Sequence, residues 1–416
     1  MSRQELAEAV NAYLWRVHER RASLDENYIG KLERGEHRWP QERYRQALRA
    51  VLRVESDAEL GFYISRSARV VRPLDARSVS HVTPIETRNR PDLHHVELLR
   101  QELNDALSEG TMAEASLDDW ERTVLRYGRA TRDRPAGVLL DDLSADLAEL
   151  KRALHHHRSA SALRRLTRVA AHMSGLMCLT FCKLDDRPAF RRWARTARRA
   201  ADEAGDPETS SWVLAQEAYG HYYSGDLLEA VDVAQHAQGA VAATPCVGAA
   251  LAAALEARAY AAISHDRETR AALGRAEDIL SDLEGEALTP SAFGYNEAQL
   301  RFHEGNAYTH LGDARSAFTA QDRALELCTP GDYTDWAMTR LDRAQCLATT
   351  AETADALDYA TETLTVLSEP QRRGIITLRG YEILTALPKD QQAMPAACDL
   401  RELLMLTTER KEVPGP

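Results

Sequence analysis

Apolar residues recur at helical spacing along most of this 416-residue chain, and no stretch shows the alternation of apolar and polar residues that is typical of strands. Near the N-terminus, Ser2 and Glu5 form a capping-box signal in front of Leu6, Ala7 and Val10, which share one helical face. The pattern predicts a first helix whose apolar face packs against another element.

A second, short helix is predicted between Ser23 and Gly35. Ser23 or Asp25 can cap its first turn, and Gly35 supplies the left-handed residue that often ends a helix. Ile29 and Leu32 fall on its buried face. The polar side chains that point the other way are Asn27, Lys31 and Arg34. A short helix with one buried apolar face and an opposite polar face is suited to insertion into a DNA major groove.

The rest of the chain divides by composition. A third amphipathic helix is predicted over Gln41–Val54 and completes a domain at residues 1–64; its inward apolar side chains are Tyr44, Leu48, Val51 and Leu52. Residues 65–92 show no helical period, contain three prolines and many Ser and Arg, and are predicted to be an Arg/Pro-rich linker. Residues 93–410 are rich in Ala and Leu and are predicted to be helical throughout.

This last region contains degenerate repeats. Five segments end one helix and start the next in a similar way, and their turn residues, 40, 40, 47 and 39 positions apart, are Asp185, Gly225, His265, Gly312 and Ala351. The two best copies carry small or aromatic residues at the places where tetratricopeptide repeats (TPRs) have them: Ala218, Gly225, Ala230 and Ala237, and Gly305, Tyr308, Gly312, Ala317 and Ala324. The spacing exceeds the roughly 34 residues of a TPR, so longer helices or loops are expected. The predicted fold is all-α, a helix-turn-helix head joined to a TPR-like α-solenoid.

The first two helices resemble the second and third helices of phage-repressor/Cro-like (XRE-type) helix-turn-helix domains. The resemblance lies in S-x-x-E-L-A-x-x-V at Ser2–Val10 and Y-I-x-x-L-E-x-G at Tyr28–Gly35. Family members carry a helix before the first motif, which is apparently missing here, and residues 11–25 are more than the family's compact turn needs. Together with the repeats, the chain is similar to actinobacterial helix-turn-helix–TPR regulators.

The resemblance implies a set of DNA-contacting residues. Arg3 would contact phosphate, Glu26, Asn27 and Lys31 would face base edges, and Arg34 and Arg38 would bind phosphates. With the motif tyrosine, the whole set is Arg3, Glu26, Asn27, Tyr28, Lys31, Arg34 and Arg38. The alternative for each is a solvated surface residue.

A second candidate site is the concave face that a TPR solenoid would present. Its side chains are Trp212, Tyr219, Tyr222, Tyr223, Gln299, Phe302, Asn306, His310 and Gln345. Amide and aromatic groups of this kind suit an extended peptide, although the aromatic residues can equally pack between repeat units. The expected partners are therefore double-stranded DNA, a signalling peptide, small ligand or protein in the groove, and a second copy of the chain, because a dimer could read two half-sites.

Charge and composition fit this interpretation. Residues 1–92 hold 17 Lys and Arg against 14 Asp and Glu, whereas the whole chain holds 52 against 64, so the excess of acid lies in the remainder. Six scattered Cys without metal-site spacing predict reduced thiols in a cytoplasmic protein. No apolar run approaches the ~20 residues of a membrane span.

No catalytic or cofactor-binding motif is present, so an enzyme is not expected and no cofactor is predicted. Successive histidines at His155–His157 point about 100° apart on a helix and cannot chelate one ion together. Cys178 and Cys182 lie four residues apart in an apolar helix and are expected to pack in a core. The main alternative to a DNA-binding regulator is a TPR interaction scaffold without working DNA binding.

Overall fold

The computed structural model describes residues 2–18, 24–34, 40, 42–54, 60, 114–156, 159–242, 244–349 and 353–408. All regular structure in these ranges is helical, which confirms the predicted all-α class. No helix within them is long and apolar enough to cross a membrane. The chain divides into two compact units, Met1–Ala106 and Leu107–Pro416. The predicted linker, residues 65–92, lies outside the described residues.

The first unit contains α1 (Arg3–His18), α2 (Glu26–Glu33) and α3 (Glu42–Leu52). The predicted capping box is confirmed: the Glu5 N–H donates to Ser2 Oγ at 3.2 Å, and the Ser2 N–H donates to a Glu5 carboxylate oxygen at 2.6 Å. From this cap α1 runs unbroken to His18.

The three helices share one apolar core, whose fully buried members are Ala7, Val10, Leu14, Ile29, Ala47 and Leu48. The apolar face of the first motif is thus packed against α2 and α3. The prediction that Leu52 faces inward is wrong, because its side chain is 38% exposed. Leu52 occupies the last position of α3, before Arg53 leaves the helix with a φ of +55°.

Asn11 fixes where α2 begins relative to α1. Its amide nitrogen donates to the Leu24 carbonyl at 2.9 Å, and its oxygen accepts from the Leu24 N–H at 3.1 Å. Asp25, one of the two predicted caps, then begins α2 by accepting from the Tyr28 N–H at 2.8 Å. One side chain therefore satisfies both backbone groups of the residue that precedes the cap.

The second unit is a succession of helices and two short 3₁₀ turns, Gly285–Leu288 and Gln391–Ala393. The helices are α4 (Glu114–Asp133), α5 (Ala136–His156), α6 (Ala160–Lys183), α7 (Arg187–Ala204), α8 (Pro207–Ser224), α9 (Leu227–Gly239), α10 (Val247–Ala262), α11 (Asp266–Ser281), α12 (Glu297–Leu311), α13 (Ala314–Leu327), α14 (Tyr333–Thr349), α15 (Thr353–Val366), α16 (Glu369–Arg372), α17 (Ile375–Ala386) and α18 (Pro395–Thr408). Five helix pairs pack as hairpins, α6–α7, α8–α9, α10–α11, α12–α13 and α14–α15, and the first four are joined where the repeats predict turns. Ala351, the fifth predicted turn residue, lies outside the described residues.

Glycine followed by aspartate marks three of the helix junctions. Gly205, Gly225 and Gly312 end α7, α8 and α12 in the left-handed region, with φ of +65°, +79° and +75°. The aspartate that follows begins the next helix, and Asp206 and Asp313 accept from backbone N–H groups of the first turn. These turns are therefore fixed by local chemistry.

The first helices of successive hairpins pack side by side, so that α6, α8, α10, α12 and α14 form one layer. The helix α4 links the two ends of this row through polar contacts. Arg132 of α4 donates to Asp332 at 2.6 Å and to Asp335 at 2.7 Å, and both carboxylates lie at the start of α14. Lys183 at the end of α6 donates to the Thr131 carbonyl at 2.7 Å.

The interface between α7 and α8 allows a direct test of packing. A β-carbon at Gly220 would lie 2.0 Å from the ring of Phe190, which is itself 1% exposed and cannot swing into solvent. Gly220→Ala is therefore expected to lower the free energy of unfolding by about 1–3 kcal/mol, as overpacked cores do. Urea denaturation followed by circular dichroism measures the change.

Gly274→Ala is the matched control, because this α11 glycine faces open space. The added methyl should raise the free energy of unfolding by about 0.5–1 kcal/mol through helix propensity. Equal denaturation midpoints for the two variants would show that the Phe190 ring moves aside.

Candidate DNA-contacting face and buried polar network

The exposed face of α2 gathers part of the predicted DNA-contacting set. Asn27, Lys31 and Arg34 are exposed and follow one another at spacings of four and three residues, so they form a single stripe. Ile29, on the opposite face, is 2% exposed and anchors the helix in the core. Glu26 is exposed in the first turn, where a carboxylate is favoured by the helix dipole.

Arg3 approaches α2 from α1. Its Nε donates to Glu33 at 2.6 Å, and both side chains are about half exposed, at 52% and 51%. Gly30 makes room for two guanidinium groups, because a β-carbon there would lie 3.0 Å from Arg34 Nη1 and 3.6 Å from Arg3 Nη1. The structure thus brings Arg3 and Arg34 together beside the α2 backbone.

Tyr28 differs from the rest of the predicted set. It is half-buried, and its ring packs on Tyr44 of α3 with centroids 5.7 Å apart. It therefore helps to hold α2 on α3. Arg38 lies outside the described residues.

In the second unit, several of the predicted ligand-binding residues surround Arg258 of α10. Arg258 is fully buried, and no carboxylate in the described part of the chain forms an ion pair with it. Its Nε donates to Asn306 Oδ1 at 2.8 Å, and Nη2 donates to the Tyr223 hydroxyl at 2.9 Å. The guanidinium carbon lies 4.2 Å from the ring centroid of Tyr222, within cation–π distance. The other rings within 6.0 Å are Tyr219, Tyr223 and Phe302.

Asn306 connects this cluster to a buried ion pair. Its Nδ2 donates to Asp342 Oδ2 at 2.8 Å, and Arg379 of α17 donates to Asp342 Oδ1 at 2.8 Å from Nε. Tyr222 donates to Asn306 Oδ1 at 2.8 Å and lies 3.1 Å from His310 Nε2. We name these residues the Arg258 network: Tyr222, Tyr223, Arg258, Asn306, His310, Asp342 and Arg379.

The nine predicted ligand-binding residues thus divide into two groups. Tyr219, Tyr222, Tyr223, Phe302, Asn306 and His310 lie in or against the Arg258 network, and four of them are at most 8% exposed: Tyr219, Tyr222, Phe302 and Asn306. Trp212 lies near the other end of α8, whereas Gln299 and Gln345 are half-buried side chains outside the network as defined. A peptide could reach the four buried residues of the first group only if the helices around them separated, whereas Tyr223 is half-buried and His310 is exposed.

The sequence reasoning missed Arg258, Asp342 and Arg379. A signal for the first does exist, since Glu256 and Arg258 interrupt the run of small apolar residues in α10. Charges in such a run must find partners when they are buried. Glu256 pairs with Arg275 of α11, at 2.6 Å, and leaves Arg258 without a carboxylate. The partners of Arg258 lie on other helices, 35 and 48 residues away along the chain.

No group of His, Cys, Asp and Glu among the described residues has an arrangement that could hold a metal ion. Cys178 and Cys182 are 1% and 5% exposed, in keeping with core packing. Burial raises the pKa of the Cys178 thiol well above its usual range, so it is held protonated.

Two tyrosines allow the network to be tested with the same chemical change. Tyr295 is fully buried and its hydroxyl has no hydrogen-bond partner among the described residues. Tyr295→Phe should leave stability unchanged or raise it by about 1 kcal/mol, since an unsatisfied buried group is removed. Tyr222→Phe should lower the free energy of unfolding by about 1–2 kcal/mol, because Asn306 and His310 lose a partner. Similar losses in the two variants would contradict this assignment.

His303 provides a test by pH. Burial and the neighbouring Arg258 guanidinium hold the pKa of His303 well below its usual value. The unfolded chain therefore binds a proton at His303 that the folded chain excludes, and the free energy of unfolding falls as the pH drops below about 6.5. Below this pH, the free energy of unfolding of the wild type should fall by about 1.4 kcal/mol per pH unit more than that of His303→Gln. Parallel stability curves from urea titrations at several pH values would refute a neutral buried His303.

Comparison of the chain with protein-family models, curated proteins and solved structures gave no match. The function of the protein must therefore be inferred from its own residues and contacts.

Proposed function

We propose that this protein is a DNA-binding transcriptional regulator. The first unit is the DNA-binding head, with α2 as the helix that reads base edges. The second unit is a TPR-like helical array that senses a ligand or protein partner and mediates dimerisation. A head of this size has a short base-reading surface, so a dimer reading two half-sites would supply useful specificity.

The observation that carries the proposal is the two-sided character of α2. Ile29 anchors one face in the core of the head, and Asn27, Lys31 and Arg34 form a polar stripe on the other. Asn suits adenine, and Lys suits the acceptor atoms of guanine. Because the start of α2 is held by both Asn11 and Asp25, this stripe has a defined orientation on the head.

The pairing of Arg3 with Glu33 is compatible with a phosphate contact. Both side chains are about half exposed, and ion pairs of this kind contribute only about 0–1 kcal/mol. A DNA phosphate could therefore take the place of Glu33 at small cost. Arg34, beside Gly30, would supply a second cation to the same strand.

The scaffold alternative requires an accessible peptide groove. The residues predicted to line it are mostly enclosed, and Tyr222, Phe302 and Asn306 are 8%, 4% and 2% exposed. This burial favours the regulator over the scaffold, because a scaffold would have to bind its partner directly in the groove.

The regulator proposal predicts that α2 selects a sequence. In selection from random duplexes with the full-length protein, wild type should enrich a defined site. Asn27→Ala should weaken binding to that site by roughly 5- to 150-fold, the effect of losing one base contact. Lys31→Ala should also weaken it and relax selection at the guanine that Lys31 contacts.

Arg267→Ala is the charge-matched control for Lys31→Ala, since its side chain is 90% exposed on the second unit. It removes one positive charge and should leave site selection unchanged. If Asn27→Ala and Lys31→Ala select the same sequence as wild type with the same affinity, α2 is not the reading helix.

A further inference from the structure

The second unit contains a cavity of about 560 Å³ that sequence reasoning did not identify. It lies between α4, α6 and the first turns of α8 and α10, and the segment from Asp282 to Phe293 closes one side. Its volume falls within the roughly 300–1,000 Å³ of sites for small organic ligands.

Three aromatic side chains form one wall of this cavity: His172, Trp212 and Phe293. Their ring centroids are 5.4 Å apart for His172 and Trp212, 5.0 Å for His172 and Phe293, and 4.6 Å for Trp212 and Phe293. The Trp212 indole N–H donates to the Ala292 carbonyl at 2.7 Å. The wall is therefore held in place without a ligand.

Trp212 is also fixed by glycines on two neighbouring helices. A β-carbon at Gly175 would lie 2.3 Å from the indole ring, and one at Gly248 would lie 2.4 Å from the Trp212 backbone nitrogen. The indole is thus fitted closely between α6 and α10, and a flat ligand would meet a preformed surface.

The rim of the cavity is acidic. Glu208, Asp282 and Glu284 line it and are exposed, and none of them is in an ion pair within the described ranges. The Asp206 carboxylate accepts from the backbone N–H and the hydroxyl of Thr209. The carboxylate of Glu121, in contrast, is paired with Arg165 and with Arg168, at 2.8 and 2.9 Å.

Positive charge at the cavity is correspondingly scarce. Arg168 is the one Lys or Arg among the lining residues, and Glu121 already accepts from it. Burial, with Arg168 nearby, lowers the pKa of His172 to about 4, so this ring is neutral at pH 7. An anionic ligand would therefore meet unpaired carboxylates and find no free cation among the lining residues.

We infer that this cavity binds an organic cation with a flat aromatic body. The ring system packs against His172 and Phe293, the half-buried members of the aromatic wall, and the positive charge faces Glu208, Asp282 and Glu284. Aromatic faces attract cations, and exposed carboxylates add electrostatic attraction that salt can screen. The inference rests on the sensing role of the proposed function and deepens it by naming a ligand class and a place for it.

The test uses two dyes that share a xanthene ring system and differ in charge: rhodamine 6G, a cation, and fluorescein, an anion. Fluorescence anisotropy with the full-length protein should show saturable binding of rhodamine 6G and at least tenfold weaker binding of fluorescein. Added salt should weaken the rhodamine complex, because the rim carboxylates are exposed to solvent.

The double variant Glu208→Gln/Asp282→Asn should weaken rhodamine 6G binding by about fivefold or more, as expected for two lost charge contacts. Asp278→Asn is the matched control, since this exposed carboxylate of α11 lies one turn before Asp282 and does not line the cavity. Equal affinity for both dyes, or equal effects of the double variant and the control, would overturn the inference. Dye binding and DNA binding are measured separately. A protein that selects a DNA sequence but does not bind rhodamine 6G would contradict the inference alone, and one that binds the dye but selects no sequence would contradict the proposed function alone.

Discussion

The burial of Arg258 is the constraint on which the second unit depends. A guanidinium taken out of water without a carboxylate in contact is costly, and here neutral oxygens and aromatic faces offset that cost. Asn306 is central to this, because its Oδ1 accepts from both Arg258 and Tyr222 while its Nδ2 donates to Asp342. Five helices therefore meet through one hydrogen-bonded network: α8, α10, α12, α14 and α17. Loss of Asn306 would remove a partner from Arg258, Tyr222 and Asp342 together, so the network favours one alignment of the hairpins.

The small residues in the first helix of each hairpin are related to the burial of Arg258. Nearly every side chain of α10 is buried, and most are alanine, so neighbouring helices approach it from several sides. Gly220 and Gly305 likewise let neighbouring helices approach α8 and α12 closely, because added β-carbons there would meet Phe190 and Gln321. Close approach brings Tyr223 and Asn306 within hydrogen-bond distance of Arg258. Packing and polar contacts thus require each other.

Sequence reasoning succeeded where the determinants are local. The capping box of Ser2 and Glu5, the Asp25 cap and the turns at Gly225 and Gly312 each depend on residues within a few positions of one another. Tyr222 and Asn306 were predicted to lie on the concave face of a solenoid, and both side chains are buried. Whether that inner face is open or filled depends on contacts such as Arg132 with Asp332, which are 200 residues apart. No local pattern encodes such a pairing, and for the same reason the cavity beside Trp212 escaped detection.

The cavity and the Arg258 network are joined by a single rigid element. Trp212 and Tyr222 lie on α8 ten residues apart, a rise of about 15 Å along the helix axis. The helix α4 likewise carries Glu121 at the cavity and Arg132 at the ion pair with Asp332. A ligand that shifts either helix must therefore alter buried polar contacts with discrete partners, which resist small displacements. A ligand with different affinities for two alignments of the hairpins would shift the balance between them, which is what the proposed sensing role requires.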